Sequence, residues 1–311
     1  MPSAPDFMEQ LELLFDVDDR WRDWQGDPPE VVYHYTKAVT LRRILETKRL
    51  WGTRSSQLND RREVDHALDI LRRVLVARSS TIHPNQDMYP EEVTAVRYPP
   101  DLITTFLASM SGAEDDLSQW CMYGDAFSGL ALGFDSAVLV ALDAADDIPQ
   151  PVGFFKVLYD EAEQKEHFEQ LASRWEDHVA SAWRRLLPAE GSVRKHRASL
   201  FARMLVAGLS VAPRMKSHYF ASENEWRLAH LHNRHQSDCE VFMDAERQHV
   251  ALNLGQLTGV LPLVSVWLGP AVANDKSEDL VRKLLSQYGR DDVIVRRSEI
   301  PLRGEERQIT V

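Results

Sequence analysis

Apolar residues at positions 7, 8, 11, 13, 14, 15, 21 and 24 follow a helical spacing, which predicts an N-terminal helix within residues 1–30. Pro28 and Pro29 stop it, and the β-branched and aromatic run VVYHY from Val31 then reads as a strand. In TKAVTLRRILETKRL, residues 36–50, Leu41, Ile44 and Leu45 share one helical face, and Thr36 or Thr40 is available to cap it. The chain then reads as a polar loop up to a second helix, NDRREVDHALDILRRVLVARSS. Asn59 or Asp60 caps that helix, Glu63 sits near its start, and Val64, Leu68, Leu71 and Leu75 form its stripe. Residues 80–100 hold four prolines and little periodicity, the pattern of a surface loop.

Beyond that loop, DLITTFLASMS predicts a strand and DDLSQWCMYG a short helix closed by Gly124. GLALGFD predicts a strand, SAVLVALDAAD a helix and GFFKVLYD a strand. Residues 160–215 carry two long helical patterns split by PAEGS. ENEWRLAHL and LVSVWLGP then read as strands, DKSEDLVRKLLSQYG as a helix and DVIVRRSEIPL as a last strand. Strands and helices are interspersed without strict alternation. This predicts a single α+β domain over 31–311 with a mixed central sheet, and 160–215 as a helical block inserted or packed beside it.

Composition narrows the setting. The chain has 311 residues and a net charge of −12, from 36 basic and 48 acidic side chains. That balance opposes non-specific attraction to nucleic acid or an anionic membrane, which needs a basic face. No apolar run reaches the length of a membrane span, and the acidic start is not a secretory signal. With only Cys121 and Cys239 there is no disulfide framework, and a cytoplasmic location is expected. Neither G-x-G-x-x-G nor a P-loop occurs, and no G-x-S-x-G elbow marks a serine hydrolase.

Four stretches carry candidate chemistry. On a strand, His34 and Thr36 share one face and Tyr33 and Tyr35 the other, so the first pair suits a ribose hydroxyl or a similar neutral ligand. Trp120 and Tyr123 are three apart on the short helix, where one aromatic can line a pocket and stack on a planar ring. Ser109 and Ser111 precede them and are placed to meet a phosphate or an amide. In SENEWRL, Glu223, Glu225 and Arg227 fall on one strand face, where paired carboxylates can do acid–base or cation-stabilising work. The same residues also have structural readings: a bonded core histidine, two core aromatics and a strand charge ladder. The fourth stretch, His230, His232, His235 and Cys239, has ligand types for zinc but matches no standard finger, and no metal site is assigned. A metal-dependent nuclease built from Asp60, Glu63, Glu223 and Glu225 is disfavoured by the net charge and by the lack of an accompanying lysine.

In order, YHYT, LRRILETKRLWGT, LND, TTFLASMS, DDLSQWCMYG, GLALGFD and YFASENEWRL resemble the bacterial family called domain of unknown function 2971, over roughly residues 31–300. More distantly, the His-x-Thr strand followed by a helix ending in I-L-x-x-x-x-L-W resembles ADP-ribosyltransferase folds, including DNA-modifying toxins. That resemblance implies a split sheet, NAD as substrate, and cleavage of the nicotinamide–ribose bond by a transferase or glycohydrolase of the kind used as a toxin or phage-defence effector. It implies that His34 holds the adenine-side ribose and that Tyr123, or Trp120 in its place, stacks on nicotinamide. It further implies that Glu225 bonds the 2′-hydroxyl of the other ribose, with Glu223 completing an E-x-E. Thr36, Ser109, Arg227 and Trp51 would then complete the walls. The partners it implies are a small-molecule nucleotide and an acceptor macromolecule that the sequence does not name. Where such folds carry a glycine near the end of the first helix, this chain has Lys48. The resemblance also implies that Glu225→Gln keeps the fold and NAD binding while losing turnover. A non-catalytic nucleotide- or partner-binding protein on the same scaffold is the alternative.

Overall fold

The computed structural model describes residues 27–58, 63–81, 103–145, 152–185, 208, 211–233, 239–302 and 307–311. Most of the predicted N-terminal helix, the caps Asn59 and Asp60, the proline-rich stretch and most of 186–210 lie outside these residues. Strand β1 (Val31–Thr36) runs into α1 (Thr40–Thr47), β2 (Arg49–Arg54), α2 (Glu63–Thr81) and β3 (Ile103–Ser111). Then follow α3 (Leu117–Met122), β4 (Leu130–Asp135), α4 (Ser136–Asp143), β5 (Gly153–Lys156) and α5 (Glu161–Arg185). The remainder is β6 (Glu225–Asn233), β7 (Val241–Asp244), β8 (Arg247–Asn253), β9 (Leu263–Leu268), α6 (Asp275–Gln287) and β10 (Ile294–Arg297). The ten strands form one open, mixed sheet, antiparallel throughout except for the parallel pair β9–β10. No described helix is long and apolar enough to cross a membrane.

Strand β3 sets the geometry of the sheet. Strand β6 pairs along its whole length, from Ile103 opposite Asn233 to Ser111 opposite Glu225. Its other edge is shared by two strands. β2 pairs it at Phe106 and Leu107, and β1 pairs it at Ser111 alone. Between these contacts β1 and β2 swing away from β3, and α1 joins their far ends. Beyond β1 the sheet continues through β4, β9 and β10, and beyond β2 through β8 and β7.

Period-2 alternation gives each face its packing. Val32, Phe106, Ala108, Met110, Leu132, Trp226, Leu228, Val250 and Val266 face the main core. Leu41, Ile44 and Leu45 of α1, Leu139 and Leu142 of α4, and Val281, Leu284 and Leu285 of α6 cover them. On the opposite face a smaller cluster joins Tyr33 and Tyr35 to Trp120, Ala131 and Trp267. Helix α2 packs on α5, with His66 bonded to Gln164 at 2.9 Å and Arg78 paired with Glu176.

Two local features differ from the sequence pattern. Helix α1 stops at Thr47 because Lys48 takes a left-handed conformation (φ 56°) as its cap, the conformation that favours a glycine there. Neither Thr36 nor Thr40 caps the start of α1; their hydroxyls bond each other at 3.0 Å. Strand β2 and the β7–β8 hairpin are absent from the predicted elements. The hairpin turn is made by Ala245 and Glu246, both at positive φ, so the usual Asn-Gly or Asp-Gly signal is missing.

A close approach fixes the start of β4 against β1. A Cβ on Gly129 would lie 2.3 Å from the Thr36 carbonyl oxygen and 2.8 Å from the Gly124 backbone. Gly129→Ala is expected to cost about 1–3 kcal/mol through forced backbone movement, measured as a lowered urea midpoint with unchanged denaturant slope.

Candidate functional site

Where β1 and β2 diverge from β3, a cavity of about 200 Å³ opens. His34 from β1, Trp51 and Thr53 from β2, and Ser109 and Ser111 from β3 line it, with Tyr123, Lys216, Glu223, Glu225, Arg227 and Arg247. The structure thus brings together His34, Trp51, Ser109, Tyr123, Glu223, Glu225 and Arg227, which lie far apart in sequence. Two predicted residues do not line it. Trp120 has no exposed surface; it packs edge-on against Tyr35, and its indole N–H donates to Asp115 at 2.7 Å. Thr36 points its hydroxyl at Thr40 instead.

The gap in the sheet explains His34. The β3 edge beside Ser109 has no strand partner, and a buried carbonyl left unbonded is costly. His34 Nδ1 meets the Ser109 carbonyl oxygen at 2.9 Å. That oxygen can only accept, so Nδ1 carries the proton and Nε2 is left as an acceptor. Burial holds the imidazole pKa below its ordinary value, against the opposing pull of the Ser109 carbonyl, so the ring is neutral at neutral pH. The tyrosines of β1 pack on the opposite side from Val32, and their hydroxyls donate to Glu114 and to the Ala113 carbonyl.

The carboxylates come together differently from a strand ladder. Glu223 ends a 3₁₀ turn, His218–Glu223, and Asn224 follows in the left-handed region (φ 43°), a conformation asparagine tolerates. Only then does β6 begin, at Glu225. The kink turns both carboxylates onto Lys216, whose ammonium donates to Glu223 and, at 3.0 Å, to Glu225. Arg227 completes the cluster with two bonds to Glu225, from Nε at 2.8 Å and Nη2 at 3.0 Å. The Glu223 side chain is also fixed by the Tyr123 hydroxyl at 2.9 Å, and its backbone carbonyl accepts from Ser111 and Gln119.

These contacts give the two carboxylates different environments. Glu225 is 3 % exposed. Burial alone would raise its pKa, but the Arg227 guanidinium, with Lys216 and the Ser109 hydroxyl, holds it down to about 2. Lys216 is held protonated: burial alone would lower its pKa, but Glu225 and Glu223 raise it above the ordinary value. Two carboxylates facing two cations leave the cluster formally neutral. Glu223 is the more open of the pair, its side chain 15 % exposed against 5 % for Glu225. Arg247 adds an exposed positive charge at the rim. Trp51 is half-buried, with the Arg43 guanidinium 3.4 Å from its ring centroid and Phe242 and His249 against it.

Lys216, Gln119, Thr53 and Arg247 were not among the predicted residues. Nothing in the sequence around Lys216 ties it to carboxylates seven and nine positions later. Its presence corrects the expectation that no lysine accompanies them. Asp60, which a nuclease would require, lies outside the described residues, as does His235.

Residues 119–228 match the model of a family described as a protein of unknown function (DUF2971). This segment includes Tyr123, Lys216, Glu223, Glu225 and Arg227, whereas His34, Trp51 and Ser109 precede it. No curated protein and no solved structure matches the chain.

The ion cluster gives Glu225 a structural role, so Glu225→Gln is expected to lower stability as well. Removing that charge takes the carboxylate partner from the buried Arg227, while Lys216 keeps Glu223, a loss of roughly 3 kcal/mol or more. The pH dependence has a definite sign. The Glu225 pKa falls from 4.5 to about 2 on folding, so its contribution is complete above pH 4.5 and fades as pH drops toward 2. Acid titration followed by circular dichroism is expected to show a shallower stability loss across that window in Glu225→Gln than in the parent protein.

Proposed function

We propose that the cavity binds NAD and cleaves its nicotinamide–ribose bond, as an ADP-ribosyltransferase or an NAD glycohydrolase. The observation that carries this reading is the convergence of His34, Tyr123 and the Glu223–Glu225 pair on one cavity. The divergence of β1 and β2 from β3 supports it too, since it is the kind of split sheet that the resemblance to ADP-ribosyltransferase folds implies.

In this reading the neutral His34 binds and orients. Its Nε2 accepts from a ribose hydroxyl while Nδ1 stays on Ser109. Tyr123 offers its ring to nicotinamide, held in place by its hydroxyl bond to Glu223. Glu223, the more open carboxylate, faces the nicotinamide-side ribose. Glu225 is a positioning residue that fixes Lys216 and Arg227. The cavity is smaller than the ~300–1,000 Å³ that encloses a drug-sized ligand. It therefore takes one end of the dinucleotide, with the diphosphate toward Arg247 at the rim.

The chemistry follows from charge. Nicotinamide leaves with the bonding electron pair, and C1′ becomes an oxocarbenium-like cation. A carboxylate fixed beside the 2′-hydroxyl stabilises that charge as it develops and costs no reorganisation at that moment. An acceptor group or water then adds at C1′ and releases its proton to solvent.

Incubation with NAD labelled in both the nicotinamide and adenine portions tests this. Nicotinamide with a labelled acceptor marks a transferase, and nicotinamide with free ADP-ribose marks a glycohydrolase. Glu223→Gln is expected to lower turnover about 100-fold or more, while calorimetric NAD affinity changes only a few-fold. If no nicotinamide is released, catalysis is ruled out; NAD binding without turnover then identifies a binding protein on this scaffold.

A further inference from the structure

Strand β6 carries a second cluster on its other face. Glu225 and Arg227 point to the cavity, whereas Trp226 and Leu228 face the main core, and His230 and His232 continue that core-facing alternation. Strand β5 pairs β6 only from Trp226 to Ala229, so both histidines lie where β6 runs on past its neighbour. Cys239, just ahead of β7, comes back onto them and packs against the main core. Its sulfur is 3.1 Å from His230 Nε2 and 4.0 Å from His232 Nδ1, and no two of the three donor atoms are more than 4.8 Å apart.

We infer that His230, His232 and Cys239 form a binding site for a borderline-soft divalent ion, zinc foremost, that clamps the end of β6 to the start of β7. Two imidazoles and a thiolate are zinc's preferred donors, and Zn–S of about 2.3 Å with Zn–N of about 2.0–2.1 Å sets tetrahedral donors roughly 3.3–3.6 Å apart. The two sulfur–nitrogen distances bracket that spacing, so small side-chain rotations close the shell. A reactive Cys–His pair would need one imidazole and an open sulfur; here a second imidazole converges and the thiol is half-buried. The Phe106 ring sits edge-on against His232, 5.9 Å between centroids, and gives the site an apolar wall. His230 is 3 % exposed, so one ligand is held in the core, while His232 and Cys239 are partly exposed. The role is structural and independent of the carboxylate cavity on the opposite face.

The test uses tag-free, full-length protein. Elemental analysis as purified, and titration of chelator-treated protein with cobalt(II), are expected to give one ion per chain. The cobalt form should show tetrahedral d–d bands and a thiolate-to-cobalt charge-transfer band. Cys239→Ser should abolish the charge-transfer band and His232→Ala should weaken cobalt affinity at least 10-fold, whereas Cys121→Ser, which alters an exposed thiol, should leave the spectrum unchanged. Loading should also raise the melting temperature of the parent protein and not that of Cys239→Ser. Sub-stoichiometric metal with no cobalt spectrum, or a charge-transfer band that survives Cys239→Ser, overturns the assignment.

Discussion

A strand has two edges, and in β3 one of them must serve both β1 and β2. Neither neighbour covers the stretch between Leu107 and Ser111, so the backbone there has to find another partner. The Ser109 carbonyl finds it in the His34 ring. This constraint shapes much of the molecule: the divergence creates the cavity, α1 bridges its far side, and the histidine that closes the hydrogen-bond gap also becomes the wall of the site. A histidine suits both tasks because each ring nitrogen can bond in a different direction.

The second organising feature is charge brought inside. Arg227 and Glu225 stand two residues apart on one face of β6, and Lys216 arrives from the segment before the strand. Burying one such charge alone is prohibitive; burying four in alternating sign is tolerable because each has partners within hydrogen-bond distance. The result divides two neighbouring acids by role. Glu225 is an ionised anchor deep in the protein, and Glu223 remains closer to the opening, aimed by Tyr123. Separation of environments within a carboxylate pair is a recurrent means of giving two like groups different work.

Strand β6 links both clusters. Its period-2 alternation places Glu225 and Arg227 on the cavity side, and tryptophan, leucine and two histidines on the core side. The carboxylate network and the imidazole–thiol cluster therefore share a backbone but not a face, and changes in one do not need to pass through the other.

The alternation and helical spacing of the chain determined most elements: β1, β3, β4, β5, β6, β9, β10 and the helices α1 to α6 rest on patterns visible locally. So did the candidate residues His34, Tyr123, Glu223, Glu225 and Arg227, because their chemistry stands out against the apolar runs around them. Four things needed the tertiary structure. The β7–β8 hairpin turn uses Ala245 and Glu246, and β2 follows α1 across Lys48 with no glycine or proline between them, so pairing with neighbours is what makes β2, β7 and β8 strands. Asn224 kinks the chain so that Glu223 and Glu225 meet a common lysine, which a simple strand spacing does not foresee. Trp120 lies on α3 and Tyr123 caps the end of that helix, yet one is sealed in packing and the other reaches the cavity. The convergence of Cys239 on His230 and His232 likewise follows from the return of the chain to β6. Local sequence encodes periodicity and chemical type; which long-range groups meet is decided by strand pairing, whose partners lie tens to hundreds of residues away.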